Sequence, residues 1–319
     1  MSSAPLRSSP QPQVPFLLAP RSRDRLRSPL VIWHLLSLDA PSVAVCWTAF
    51  IAWSAGLHLP WTDGAAMFVA VWVLYAADRL LDARPLFTEP SAPQLEARHR
   101  FHHRHRRRFL QAIAAAALPL LFLLHATANA VLHLYVLLAS LLGVWLLLIH
   151  ARPVPSAAAH RLPKELAVGL FFPAAVFIPT VARVPGMRSS LLPLAVLFGC
   201  LCTLNCLFLY SWEHPQDARE AHRSTTWAVH HLKALALTFT LLTDGLFLAG
   251  RTTLPAALSP ILRQVPHFAA VSLALSLSGA ALLMLHAVRR ELRPVTLRAL
   301  ADLVLLSPLP LLAILKVPR

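Results

Sequence analysis

Two short acidic motifs contain the residues whose types and spacing are best suited to chemistry. Residues 75–84 and 210–219 both read Y-x-x-[D/E]-x-x-x-D-A-R. Asp78 and Asp82 of the first motif are four positions apart, so on a helix they share one face, about 6 Å apart along the axis. The first motif is therefore predicted to present two carboxylates side by side.

The second motif repeats this pair as Glu213 and Asp217. Four carboxylates around one cavity would raise one another's pKa values, so they require a cation that prefers oxygen ligands. Mg²⁺ uses one or two protein carboxylates and takes its remaining oxygens from water and substrate phosphates. The motifs therefore predict a magnesium site for a diphosphate or phosphate ester at the membrane surface.

The second motif is less regular than the first. Pro215 disfavours helical backbone at the residue before it, so we expect Asp217 on a loop or a new helical turn. A simpler alternative for both motifs is ion pairing at a helix end, because Arg79, Arg84 and Arg219 are close in sequence.

Four further polar residues fall inside apolar segments. Asn205 lies about two helical turns before the end of its segment, and it either bonds a neighbouring helix or lines the cavity. Asp302 either pairs with Arg298 four residues earlier or has a functional role, as intramembrane acids often do. Asp244 and Asp39 are weaker cases of the same kind.

A basic stretch, residues 99–108, alternates histidines with arginines. His99 and His103 could share a helix face and bind a metal, but the arginines would repel a cation and the stretch has no acidic or cysteine ligand. We therefore interpret it as a basic loop that binds anionic headgroups. Arg161 and Lys164, in the next loop on the same side, are suited to pairing with a diphosphate.

Composition indicates that these residues are positioned by membrane-spanning helices. The mean hydropathy is +0.60, with 57% hydrophobic and 13% charged residues, whereas soluble domains carry about 25% charged residues. The apolar blocks have the length of a helical span and lack the alternation of a β-barrel. We predict an all-α, polytopic membrane bundle of nine transmembrane helices, at residues 38–57, 62–82, 109–127, 131–150, 164–182, 191–212, 229–249, 267–288 and 295–315.

The distribution of basic residues predicts the orientation of the bundle. Of the 29 lysines and arginines, 23 fall on the side of the N-terminus and 6 on the other. The N-terminus is therefore expected in the cytoplasm and the C-terminus on the opposite side. Residues 1–29 are predicted to be a disordered basic tail, and residues 30–319 to form the transmembrane domain.

Charge and cysteine content limit the other classes of function. The net charge of +15 is explained by basic loops facing anionic lipids, so no nucleic-acid partner is expected. The four cysteines lie in apolar blocks without a CxxC pair, so neither a disulfide framework nor a zinc site is expected on them. Four spans separate the two acidic motifs, which suggests a parallel duplication of a four-helix unit.

These residues make the sequence similar to the UbiA-type membrane prenyltransferase family. Its members have nine transmembrane helices and two cytoplasmic aspartate-rich motifs, N-D-x-x-D-x-x-x-D and D-x-x-x-D. Asp78 and Asp82 match the end of the first motif, and Glu213 and Asp217 match the second with one conservative change. Residues 161–173 resemble the family's basic loop and the start of its fifth helix.

The resemblance implies transfer of an isoprenoid group from a prenyl diphosphate to a lipid-soluble acceptor at the cytoplasmic face. It assigns catalysis and Mg²⁺ binding to Asp78, Asp82, Glu213 and Asp217. We add as substrate-binding candidates Tyr75, Arg79, Arg161, Lys164, Asn205 and Tyr210.

The first motif departs from the family pattern, because Leu74 and Tyr75 stand where the family has Asn and Asp. One magnesium ligand is thereby lost, which leaves a divergent subfamily, a one-metal enzyme or an inactive relative as alternatives. A transporter-like or non-catalytic lipid-binding protein is the alternative of another class. A transporter would place its key site near mid-membrane rather than at the cytoplasmic rim.

Overall fold

The structure is a computed structural model that describes residues 28–82, 97–150, 163–213, 222–251 and 264–314. The regular elements of these ranges are helices and no strand occurs among them, which confirms the all-α prediction. The α-helices are α1 Pro29–Leu35, α2 Asp39–Ser54, α3 Trp61–Asp82, α4 Ala97–Arg104, α5 Arg106–His125, α6 Asn129–His150, α7 Lys164–Arg183, α8 Arg188–Glu213, α9 Arg223–His230, α10 Leu232–Arg251, α11 Phe268–Val288, α12 Pro294–Leu303 and α13 Pro308–Ile314.

Seven helical segments of the described chain are long and apolar enough to cross a membrane. They are α3, α5, α7, α8 with the short 3₁₀ turn before it, α10, α11 and the combined α12–α13 segment. Counting α1 and α2 as one bent span gives eight. Each of the nine predicted segments overlaps a helix, but α6 has a described apolar part, Asn129–Trp145, shorter than a full span. The nine-span count and the duplication remain predictions.

The core of the bundle forms around α2. Trp47 is fully buried, and its indole Nε1 donates a hydrogen bond to the carbonyl oxygen of Leu305 at 2.7 Å. The ring also stacks on Phe198 of α8 with centroids 4.3 Å apart. An amphipathic residue with its single donor satisfied is well suited to such an interior, and Trp47 thereby ties α2 to both α8 and the C-terminal segment.

Helices α7 and α8 cross at a pair of glycines. A Cβ atom added to Gly199 would lie 2.5 Å from the carbonyl oxygen of Gly169, and one added to Gly169 would lie 2.9 Å from the carbonyl oxygen of Gly199. Small residues allow membrane helices to approach backbone to backbone. This contact fixes α7, which begins with Lys164, against α8, which ends with Glu213.

A sharp corner joins α1 and α2, whose axes differ by 92°. Ser37 turns this corner with φ 61°, a left-handed conformation that side-chain-bearing residues adopt at a cost. The corner folds α1 back toward the start of α2. Pro29–Leu35, which precedes the first predicted span, therefore forms a separate helix.

The surface of α5 and α6 is largely apolar. Exposed side chains there include Leu118, Leu121, Phe122, Leu137 and Leu141. Apolar side chains of this size are rarely displayed over a whole helix face in water. Together with the seven apolar segments, this surface is compatible with a multi-pass integral membrane protein. The sidedness of the termini remains a prediction, and the predicted tail lies outside the described residues except at its last two positions.

Candidate functional site

Arg79 of the first motif lies inside the protein, with 2% of its surface exposed. Its Nη2 is 2.8 Å from Asp39 Oδ2, and its Nη1 donates to the carbonyl oxygen of His34 at 2.5 Å and to Ser37 Oγ at 3.2 Å. The guanidinium also lies 4.3 Å from the ring centroid of Tyr75. The first motif therefore braces the corner between α1 and α2 through its arginine.

The second motif helix reaches the same place through Asn205 of α8. Its Nδ2 donates to Asp302 Oδ1 of α12 at 3.2 Å. His34 Nδ1 lies 3.6 Å from Asp302 Oδ2 and 2.6 Å from Asp39 Oδ2. We call the buried residues His34, Asp39, Arg79, Asn205 and Asp302 the polar centre. It joins five helices, α1, α2, α3, α8 and α12.

The polar centre contains more acid than base. Asp39 and Asp302 contribute two carboxylates, whereas Arg79 is the one permanently charged cation among its five residues. Two oxygens there, Asp302 Oδ2 and Asn205 Oδ1, are buried without a hydrogen-bond partner. Buried charges are costly unless paired and hydrogen-bonded, so this arrangement is not explained by stability alone.

Two ion pairs lie at the ends of the motif helices, and we call them the rim pairs. Lys164 Nζ is 3.6 Å from Asp82 Oδ1, with side chains 58% and 29% exposed. Arg298 of α12 donates to Glu213 at the end of α8. Exposed pairs of the first kind contribute at most about 1 kcal/mol, so the Asp82 carboxylate can exchange its partner at little cost.

The rim pairs and the polar centre are linked by α12. Arg298 contacts Glu213 at the rim, and Asp302, one turn later, contacts Asn205 in the centre. Both residues of the predicted Asp302–Arg298 pair therefore contact α8, Arg298 at Glu213 and Asp302 at Asn205. Of the two interpretations of Asn205, the structure has the bond to a neighbouring helix.

The other predicted site residues differ in where they lie. Asp78 and Tyr210 are half-buried on α3 and α8. Asp217 and Arg161 lie outside the described residues. Asp244 is exposed on α10, away from the polar centre.

The only group of metal-ligating side chains found in the described part of the chain is His34, Asp39 and Asp302, whose ligand atoms lie within 4.8 Å of one another. The described motif carboxylates, Asp78, Asp82 and Glu213, do not form such a group. Three carboxylates on a single ion are therefore not assembled at the rim.

The basic stretch predicted as a loop is helical where it is described, in α4 and the start of α5. His102 is fully buried, and its Nε2 lies 3.0 Å from Ser37 Oγ. The interleaved arginines remain on the outside, as Arg104 and Arg106 illustrate. Charge repulsion drives the arginines outward while His102 and Phe109 pack inward, with ring centroids 4.3 Å apart.

Sequence reasoning missed His34 and Ser37 and gave Asp39 little weight. A signal was available, because a Ser-x-Asp sequence interrupts the apolar run at residues 37–39. Serine and aspartate compete for backbone hydrogen bonds and favour turns and helix starts. No sequence pattern indicated that this turn would place His34 beside Asp302, a residue of α12 near the C-terminus.

The opposite end of the bundle contains a simpler ion pair. Asp63 at the start of α3 lies 2.6 Å from the guanidinium of Arg183 at the end of α7. The Asp63 side chain is 2% exposed and that of Arg183 is 22% exposed. This pair provides one cation for one carboxylate and clamps α3 to α7, although the Asp63 oxygens, like Asp302 Oδ2, form no hydrogen bond of regular geometry.

Comparison with known proteins adds no relative: no family model, no curated protein and no solved structure matches this chain.

Proposed function

We propose that this protein is a divergent UbiA-type membrane prenyltransferase. It would transfer an isoprenoid group from a prenyl diphosphate to a lipid-soluble acceptor at the cytoplasmic face of the membrane. The observation that carries the proposal is the rim: each motif helix ends in a carboxylate already paired with a cation, Asp82 with Lys164 and Glu213 with Arg298.

These rim pairs suit exchange with a diphosphate. Phosphate oxygens compete with carboxylates for ammonium and guanidinium groups. When a diphosphate takes Lys164 and Arg298, the carboxylates of Asp82 and Glu213 are released. A carboxylate from each motif would then be available to Mg²⁺, which uses one or two carboxylates together with substrate oxygens. Bound in this way, Mg²⁺ would stabilise the charge of the departing diphosphate.

The chain itself would position the substrate and exclude water. Lys164 and Arg298 would hold the diphosphate at the rim, and the apolar helices would surround the prenyl chain. An allylic cation formed there would be protected from hydrolysis. Tyr75 stands where the family has a ligand aspartate, and its ring packs on Arg79. We therefore propose that the first motif provides ligands for one metal ion only.

Equilibrium binding of a non-hydrolysable prenyl diphosphate analogue tests this proposal in purified protein. Wild type should bind the analogue in a Mg²⁺-dependent manner. Asp82→Asn and Glu213→Gln should each weaken binding at least about tenfold, since each removes a charge that meets metal and substrate. Asp63→Asn, which removes a buried carboxylate at the opposite end, is the matched control and should bind as wild type does.

Two results would contradict the proposal. One is binding of the analogue that is equal in the presence of Mg²⁺ and EDTA. The other is unchanged affinity in both rim variants when their Tm values match that of wild type.

A transporter-like or lipid-binding role is favoured by a different observation, the polar centre. Asn205 lies eight residues before the end of α8, which is about 12 Å along a helix axis. Its partner Asp302 is an ionisable group, and an ionisable group at that depth is typical of transport pathways. In that case Asp302→Asn would abolish lipid or solute binding, whereas Asp82→Asn and Glu213→Gln would leave it unchanged.

A further inference from the structure

The polar centre brings a nitrogen and two carboxylates from three separate helices to one point. His34 of α1, Asp39 of α2 and Asp302 of α12 each offer a ligand atom, and these atoms lie within 4.8 Å of one another. Two atoms that are each about 2.1 Å from one ion are separated by at most about 4.2 Å. Only a small closing movement of the longest pair would therefore complete an ion site.

Two acceptor atoms at this point lack a donor. Asp302 Oδ2 and Asn205 Oδ1 have no hydrogen-bond partner, although the residues are only 8% and 6% exposed. Asp302 Oδ2 faces His34 Nδ1 at 3.6 Å. Buried oxygen atoms without donors are rare in folded proteins. An ion between His34 and Asp302 would satisfy Asp302 Oδ2 and lie near the Asn205 amide oxygen.

With both of its carboxylates ionised, the polar centre carries a net negative charge that a further cation would balance. With His34 neutral, Asp39, Asp302 and Arg79 sum to one negative charge inside an apolar bundle. Arg79 contacts Asp39 from the side of Tyr75, in the position of an outer partner that orients a ligating carboxylate. A protonated His34 would be the alternative source of positive charge.

We propose that the polar centre binds one divalent transition-metal ion through His34, Asp39 and Asp302. A mixed set of imidazole and carboxylate ligands favours Zn²⁺, Fe²⁺ or Mn²⁺, whereas Mg²⁺ prefers oxygen ligands alone. This site is distinct from the rim pairs and does not depend on the prenyltransferase proposal. It couples the α1–α2 corner to α12, which also contributes Arg298 to the rim.

Metal titration of the EDTA-stripped protein tests the inference. Zn²⁺ added to wild type in detergent should bind with one equivalent per chain, and Co²⁺ should give a visible d–d absorption band. His34→Ala and Asp302→Asn should each weaken Zn²⁺ binding at least about 100-fold, because loss of an outer partner alone costs about 10- to 100-fold. Asp63→Asn is the matched buried-carboxylate control and should bind as wild type does.

His103 at the end of α4 and His105 after it are half-buried histidines that could compete for zinc. The double variant His103→Ala, His105→Ala removes them without touching the polar centre, and it should retain the single equivalent and the Co²⁺ band. Because this variant keeps His34 and Asp302, its loss of Zn²⁺ binding would overturn the proposal even if the variants in the centre fail to fold.

Three outcomes would overturn the proposal. The double variant could bind no Zn²⁺. Folded Asp302→Asn or His34→Ala protein could bind with wild-type affinity. Wild type could bind no Zn²⁺ and give no Co²⁺ absorption band.

Discussion

The two ends of the bundle each hold a buried contact between aspartate and arginine, and they differ in what surrounds it. At the opposite end Asp63 meets Arg183, whose side chain is 22% exposed. In the polar centre Asp39 meets Arg79, which is 2% exposed, and a second carboxylate, Asp302, lies beside them. One cation per carboxylate is enough to clamp two helices. The excess acid of the polar centre is the charge that the proposed ion would balance.

The same contrast holds for the two ends of α2. Ser37 before α2 and Gly56 after it both have positive φ, at 61° and 73°. Glycine is the residue that adopts this conformation without a steric cost. At the motif side the chain uses serine instead, and Ser37 Oγ contacts both His102 and Arg79. Ser37 therefore costs backbone strain at this corner, but its hydroxyl makes polar contacts that glycine could not make.

The largest predicted effect is on stability when each arginine is replaced. Arg79→Met leaves two buried carboxylates without their cation and should lower the free energy of unfolding by about 3–5 kcal/mol. Arg183→Met should cost less, about 1–2 kcal/mol, because water reaches that pair. SDS titration in mixed micelles measures both. If both variants lost the same free energy of unfolding, the proposed difference between the polar centre and the Asp63–Arg183 pair would be contradicted.

The variants Asp302→Asn and Asp63→Asn should have different effects on the free energy of unfolding. In EDTA, Asp302→Asn removes excess buried charge while its amide oxygen still accepts from Asn205, so stability should equal or slightly exceed that of wild type. Asp63→Asn removes the carboxylate partner of Arg183, which keeps its bond to the carbonyl oxygen of Pro179, and should lower stability by about 1 kcal/mol. The same titration decides this, and a loss in Asp302→Asn larger than that in Asp63→Asn would contradict the excess-acid interpretation.

The smallest effects concern the ends of α2. Gly56→Ala should cost about 1 kcal/mol through its positive φ alone, since no atom lies within 4 Å of the added Cβ. Ser37→Ala should be less stable than Ser37→Gly by a similar amount, because both lose the hydroxyl but only alanine retains the strain. Thermal unfolding of the three variants measures this, and equal Tm values for the Ser37 pair would argue against a strained corner.

The sequence predicted the helices better than their contacts. Apolar length alone placed a span at residues 62–82, where α3 covers Trp61–Asp82, and another at residues 164–182, where α7 covers Lys164–Arg183. Span length follows from bilayer thickness, which is a local property of the chain. The contact of Asn205 with Asp302 depends on how α8 and α12 pack, which no local pattern contains.

The motifs were recognised for their acidic residues, and the structure gives a central position to a residue between them. Arg79 was named as a substrate contact on the basis of its motif, but it is buried against α1 and α2. Lys164, also named as a substrate contact, lies at the rim beside Asp82. Exposure separates these two basic residues, and exposure depends on the packing of distant helices.

Prenyl transfer in membranes tests the central claim, that the rim pairs form the diphosphate site. Membranes containing each variant would be supplied with Mg²⁺ and a labelled prenyl diphosphate, and label incorporated into extractable lipid would be measured. We predict incorporation by wild type and by Asp63→Asn, and its loss in Asp82→Asn and Glu213→Gln. Incorporation at the wild-type rate in both rim variants would contradict the claim.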